Sequence, residues 1–65
     1  MLTSQMAHYL AILPESQQQV VRGIYLQEFS QQELAARLGV PLGTIKSRLR
    51  LALQKLKEQV EQDHD

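Results

Sequence analysis

The sequence contains no cysteine among its 65 residues. A disulfide framework and a thiolate metal site are therefore excluded. Long apolar runs are also missing. The longest uninterrupted one, Tyr9 to Leu13, is far shorter than the ~20 residues a membrane span requires. The Met1 end lacks a basic region followed by an apolar stretch and a cleavage site, so no secretory signal peptide is expected. There is no Gly-rich phosphate loop and no nucleophile arrangement. Net charge is absent as well: 7 Lys+Arg balance 7 Asp+Glu, and the pI is near 6.7. Taken alone, that neutrality argues against a polyanion partner. The length allows one small domain, 1–65. A chain of this size buries only about 60% of its unfolded surface, which leaves little room for a deep active site.

The average conceals a sharp segregation of charge. Met1 to Leu34 holds one cation (Arg22) and three acids (Glu15, Glu28, Glu33). Ala35 to Lys57 holds six cations (Arg37, Lys46, Arg48, Arg50, Lys55, Lys57) and no acid. Glu58 to Asp65 holds four acids and no cation. One third of the chain is strongly basic, a pattern that suggests a polyanion partner after all. The glutamine run Gln17 to Gln19 is too short for a low-complexity segment, and no internal repeat is present.

Apolar residues recur at spacings of three and four, and strand alternation is absent, so the expected fold is all-α. Four helices are expected, over about 3–12, 14–28, 30–38 and 42–60. Thr3 or Ser4 would cap the first. Pro14 suits the first turn of the second, which presents Val20, Val21, Ile24 and Tyr25 on one side. Gly23 inside that helix costs about 1 kcal/mol relative to Ala, and close approach of a neighbouring helix would compensate. Ser30 and Glu33 form a capping box for the third helix, with Phe29 and Leu34 as a hydrophobic staple. Gly39 ends it, because Gly takes the left-handed C-terminal conformation without penalty. Pro41 then disfavours helical geometry at Val40. Residues 61–65 are expected to fray, since acids at a helix C-terminus oppose its dipole.

Two helices joined by about three residues containing Gly make a helix-turn-helix unit. Ala35 is small where the helices would meet, Leu34 and Leu38 face inward, Gly39 turns the chain, and Val40 plugs the corner. Ile45 and Leu49 then pack back on the preceding helix. A plain helical bundle would satisfy some of these positions but not the small-turn-plug order. On a wheel of about 100° per residue, Leu49, Ala52, Leu53, Leu56 and Val60 lie within about 80° of Ile45 and form the core face. Lys46, Ser47, Arg50, Leu51, Gln54 and Lys57 lie opposite, with Arg48 and Lys55 on one flank. Such a helix can enter a major groove and present Lys46, Ser47 and Arg50 to base edges or phosphates. Gly43 and Thr44 start this helix. They either form a phosphate site at its N-terminus or are, respectively, a cheap first-turn glycine and a cap. Leu51 can contact a thymine methyl, rest on a partner protein, or be one of the single exposed leucines that need no explanation.

The stretches Leu13-Pro14-Glu15, Phe29-Ser30-Gln31-Gln32-Glu33-Leu34-Ala35 and Leu38-Gly39-Val40-Pro41-Leu42-Gly43-Thr44-Ile45-Lys46-Ser47-Arg48-Leu49 resemble region four of extracytoplasmic-function sigma factors. The resemblance runs from about Leu10 to Leu56. It implies a four-helix domain that binds double-stranded promoter DNA at the −35 element, the β flap of bacterial RNA polymerase and, often, an anti-sigma factor. It further implies a monomer in the bacterial cytoplasm. On the matching motif, Lys46 and Ser47 would face the groove, Thr44 and Arg48 would contact or organise the DNA backbone, and Arg50 would reach bases. Arg37, Gly43 and Gln54 complete the DNA-binding set. The family often has Arg where this chain has Leu51, and a common Arg early in the second helix is Gln18 here. The domain that reads the −10 element has no counterpart, which implies the C-terminal part of a longer factor.

The rival classes are weaker. For an enzyme there is only the isolated His8 and the terminal Asp63-His64-Asp65, ligand-type residues at a chain end where disorder concentrates. No catalytic residue, cofactor or metal is expected. A protein-interaction module using the acidic, Gln-rich first half, or the helix-turn-helix of another transcription regulator, remains an alternative.

Overall fold

Four helices, and no strand among the described residues, make up the computed structural model, which describes residues 4–63: α1 Ser4–Ala11, α2 Glu15–Val21, α3 Gln31–Leu38 and α4 Leu42–Asp63. Thr3, one of the two expected caps of α1, lies outside the described residues. The last turn of α1 tightens, with Ile12 N–H donating to Tyr9 O at 3.3 Å and Leu13 N–H to Leu10 O at 3.1 Å. Pro14 then stands just before α2 instead of inside its first turn. Its ψ of 152° is extended, and its carbonyl accepts from both Gln17 and Gln18 N–H at 3.0 Å.

The second helix departs from expectation at its far end. After Val21 it widens into a π-helical turn, Arg22–Leu26, and Gln27 N–H donates to Arg22 O at 2.9 Å. Glu28 takes a left-handed φ of 62°, at about 1 kcal/mol for a residue with a Cβ. Phe29 N–H then reaches back to Gly23 O at 2.9 Å. The widened turn brings Gly23 against α3. A Cβ there would lie 2.6 Å from Leu34 Cδ1 and 2.8 Å from Leu34 Cδ2. Close helix approach is thus the compensation for glycine at this position.

The capping box and the glycine ending of α3 are both present. Ser30 has extended backbone at φ −70° and ψ 164°. Glu33 N–H donates to Ser30 Oγ at 3.0 Å, and Ser30 N–H donates to Glu33 Oε1 at 2.9 Å. The Ser30 backbone donor, helped by the hydroxyl, holds the Glu33 carboxyl below the usual carboxylate range. A lowered folded-state pKa contributes stability above the ordinary value, lost as pH falls through the lowered one. Ser30→Ala is expected to lower stability by about 1 kcal/mol, read as a shift of the urea midpoint. An unchanged midpoint would show that the box adds nothing. Gly39 ends α3 at φ 69°. Val40 N–H bonds Ala35 O at 3.1 Å and Gly39 N–H bonds Ala36 O at 3.3 Å, the paired bonds of a Schellman ending.

Leu10, Leu13, Val20, Val21, Leu34, Ala35, Ile45, Leu49 and Ala52 form the core, with Ile24, Phe29, Leu38, Val40 and Leu56 packed against it. α4 is the spine: α2 and α3 pack on it, and α1 touches it. The centre of its apolar stripe is covered, but Leu53 is not. It lies about 80° round the helix from Ile45, beyond the reach of α2 and α3, and is 42% exposed. Tyr25, expected on the inward side of the second helix, lies in the widened turn, where the spacing of about 3.6 residues behind that expectation no longer holds, and is 56% exposed.

α4 also continues past the expected end at 60. Residues 61–63 are helical instead of frayed. Gln59 Nε2 donates to Asp63 Oδ1 at 3.4 Å. The Asp63 carboxylate also accepts from the Tyr9 hydroxyl, which raises the phenol pKa above its ordinary value. This pair brings the end of α4 beside α1. His64 and Asp65, the rest of the terminal ligand-type trio, lie outside the described residues.

Candidate nucleic-acid interface

The corner between α3 and α4 orients the interface. Val40 is half-buried in the turn, and the Pro41 carbonyl accepts from Thr44 N–H at 3.0 Å and Ile45 N–H at 3.3 Å. Pro41 thus stands just before α4, and its carbonyl accepts the first bonds of that helix. Thr44 is the third residue of α4, half-buried in the first turn. The first N–H groups of the helix, at Leu42 and Gly43, have no intrahelical acceptor, as at any helix start. A Cβ at Gly43 would meet nothing within 4 Å, so packing within the chain does not require glycine there.

Ile45 is fully buried and Leu49 and Ala52 are buried with it, which sets the rotation of α4 about its axis. The residues opposite must then face water. Lys46, Ser47, Arg50 and Gln54 are exposed, and Arg48 is half-buried on the flank. Within α4 no acid precedes Glu58, so this face is positive over its first four turns and turns acidic afterwards. Geometry of this kind suits a polyanion groove that ends before Glu58.

Arg37 stands apart from this row. It is on the last turn of α3, exposed, with its guanidinium carbon 4.9 Å from the centre of the Phe29 ring. That cation–π contact gives it a packing role within the chain. Gln18 is likewise occupied: its Nε2 donates to Leu13 O at 2.8 Å, and its Oε1 accepts from Arg22 Nη2 at 2.9 Å. It bridges the α1–α2 turn to the start of the widened turn.

A second surface was not foreseen from the sequence. Met6, Tyr9, Tyr25, Leu26, Leu53 and Val60 line an apolar groove of about 380 Å³ between α1, the widened turn and α4. The available signal was the number of apolar residues along α4, more than its two partner helices can cover. No helix among the described residues is long and apolar enough to cross a membrane.

Comparison with known proteins adds to this geometry. The family model for sigma-70, region 4 matches residues 9–58. The ECF RNA polymerase sigma factor RpoE of Cereibacter sphaeroides is 42% identical over 55 residues, covering 85% of this chain and 30% of that relative. The chain thus spans about a third of the length of that relative. No solved structure matches. With a helix-turn-helix corner, a basic outer face on its second helix and a family match over most of its length, the chain belongs to the sigma-70 region 4 family.

Proposed function

We propose that the chain, residues 1–65 as one domain, binds the promoter −35 element as the C-terminal domain of a bacterial sigma factor and directs RNA polymerase to initiate transcription in the cytoplasm. The observation that carries this reading is the exposed row Lys46, Ser47 and Arg50 on the second helix of a helix-turn-helix, in a segment without acids. In this reading α4 lies in the major groove. Lys46, Ser47 and Arg50 reach base edges, where Lys and Arg recognise guanine acceptors. Thr44, Arg48 and the Gly43 backbone meet phosphates at the helix start, and Gln54 and Arg37 bound the contact. The domain positions DNA and performs no chemistry of its own.

Titration with a −35-type duplex, followed by NMR, tests this. Shifts should concentrate between Gly43 and Gln54. If three or four phosphates are neutralised, the logarithm of the binding constant should fall with a slope of about −3 against that of salt. Shifts confined to α1 and α2 would sink the DNA reading.

A second reading rests on the apolar groove, and it complements the first. A groove of this composition accepts an apolar helical segment from a protein partner. The polymerase β flap is the proposed occupant, with an anti-sigma factor as its competitor. Tethering to polymerase would supply by avidity what a small, neutral domain lacks in DNA affinity.

A further inference from the structure

Leu51 is the one apolar residue of the outer face, and that reading leaves its chemistry unused. It follows Ser47 by one helical turn on α4 and is 49% exposed. It belongs neither to the core nor to the half-buried residues packed against it. The shallow recess it lines is otherwise polar, walled by Gln17, Gln54, Lys55, Glu58 and two further glutamines. The core therefore does not require an apolar side chain at this position.

Its placement, by contrast, is favourable for contact with DNA. Leu51 lies between Ser47 and Gln54 on the face that stays free of acids until Glu58. A polyanion that follows α4 from its N-terminus reaches Leu51 before Glu58, the first carboxylate of the helix and a wall of the same recess. The major groove exposes an apolar group on one base alone, the 5-methyl of thymine. We propose that Leu51 is a specificity-determining residue that reads a thymine by packing against its 5-methyl group. This assignment rests on the −35 reading above.

Duplexes enriched by the full chain from a randomised pool, with each enriched thymine then replaced in turn by deoxyuridine, provide the test. Uracil keeps every hydrogen-bonding group of thymine and lacks only the methyl. At one position the replacement should weaken binding about fourfold, the worth of one buried methylene-sized group. Leu51→Ala should be indifferent to that replacement and keep its preferences elsewhere, and Leu51→Met, which retains an apolar tip, should stay sensitive. A motif without a methyl-sensitive thymine, or the same uracil loss in Leu51→Ala, overturns the assignment and leaves the −35 reading standing. Failure to enrich any sequence overturns both.

Discussion

Ile45→Ala is expected to unfold most of the domain at 25 °C. Ile45 is fully buried at the point where α4 packs back on α3. Truncating a buried Ile to Ala costs about 2–5 kcal/mol, the transfer term plus the cavity left behind. A domain below about 70–80 residues draws only about 3–5 kcal/mol from its core, so the loss is comparable to the whole stability. Ile45→Val removes one methylene and should cost about 0.5–1.5 kcal/mol, leaving a folded domain with a lower midpoint. Far-ultraviolet circular dichroism in a urea series reads both. Lys46→Ala, on the exposed side of the same helix, should stay within about 0.5 kcal/mol of the parent. Equal midpoints for Ile45→Ala and Lys46→Ala would contradict the rotation of α4 and with it the identity of the outward face.

Lys46→Ala and Arg50→Ala are expected to reduce discrimination between the preferred duplex and its single-base variants by about 1–3 kcal/mol where the side chain makes a paired contact to a base. Both residues are exposed and outside the core, so the change is one of binding and not of folding. The form of the loss identifies the contact. A base contact loses affinity for one sequence and relaxes one position. A phosphate contact loses affinity equally on all sequences and reduces the salt slope by about 1. Affinities for a set of single-substitution duplexes at two salt concentrations separate the cases. No change in either quantity would remove the residue from the interface. The neutral total charge sets the background, because the acids of the first half and of the end of α4 limit non-specific attraction to DNA. A domain with that balance suits delivery by a larger assembly.

Much of this was legible in the linear chain because its signals are local. Ser30 and Glu33 satisfy each other across three residues, Gly39 closes α3, and Ile45, Leu49 and Ala52 share one stripe of one helix. Each of these depends on neighbours within one or two turns. Other features were not legible for an equally physical reason. Periodicity places Leu53 and Tyr25 on apolar sides, but whether an apolar side is covered depends on the reach of other helices, which periodicity does not contain.

The sequence by itself determined the all-α class, the helix-turn-helix corner, and the division of charge that leaves a basic segment from Ala35 to Lys57 between acidic neighbours. Those follow from residue type and short spacing alone. The tertiary structure decided the rest. It left Leu53 and Tyr25 open along an apolar groove between α1, the widened turn and α4. It placed Arg37 over Phe29, and it set Asp63, at the end of α4, beside Tyr9, more than fifty residues away along the chain. Contacts between residues so distant in sequence exist only once the chain has folded, and the second surface of this domain is made of them.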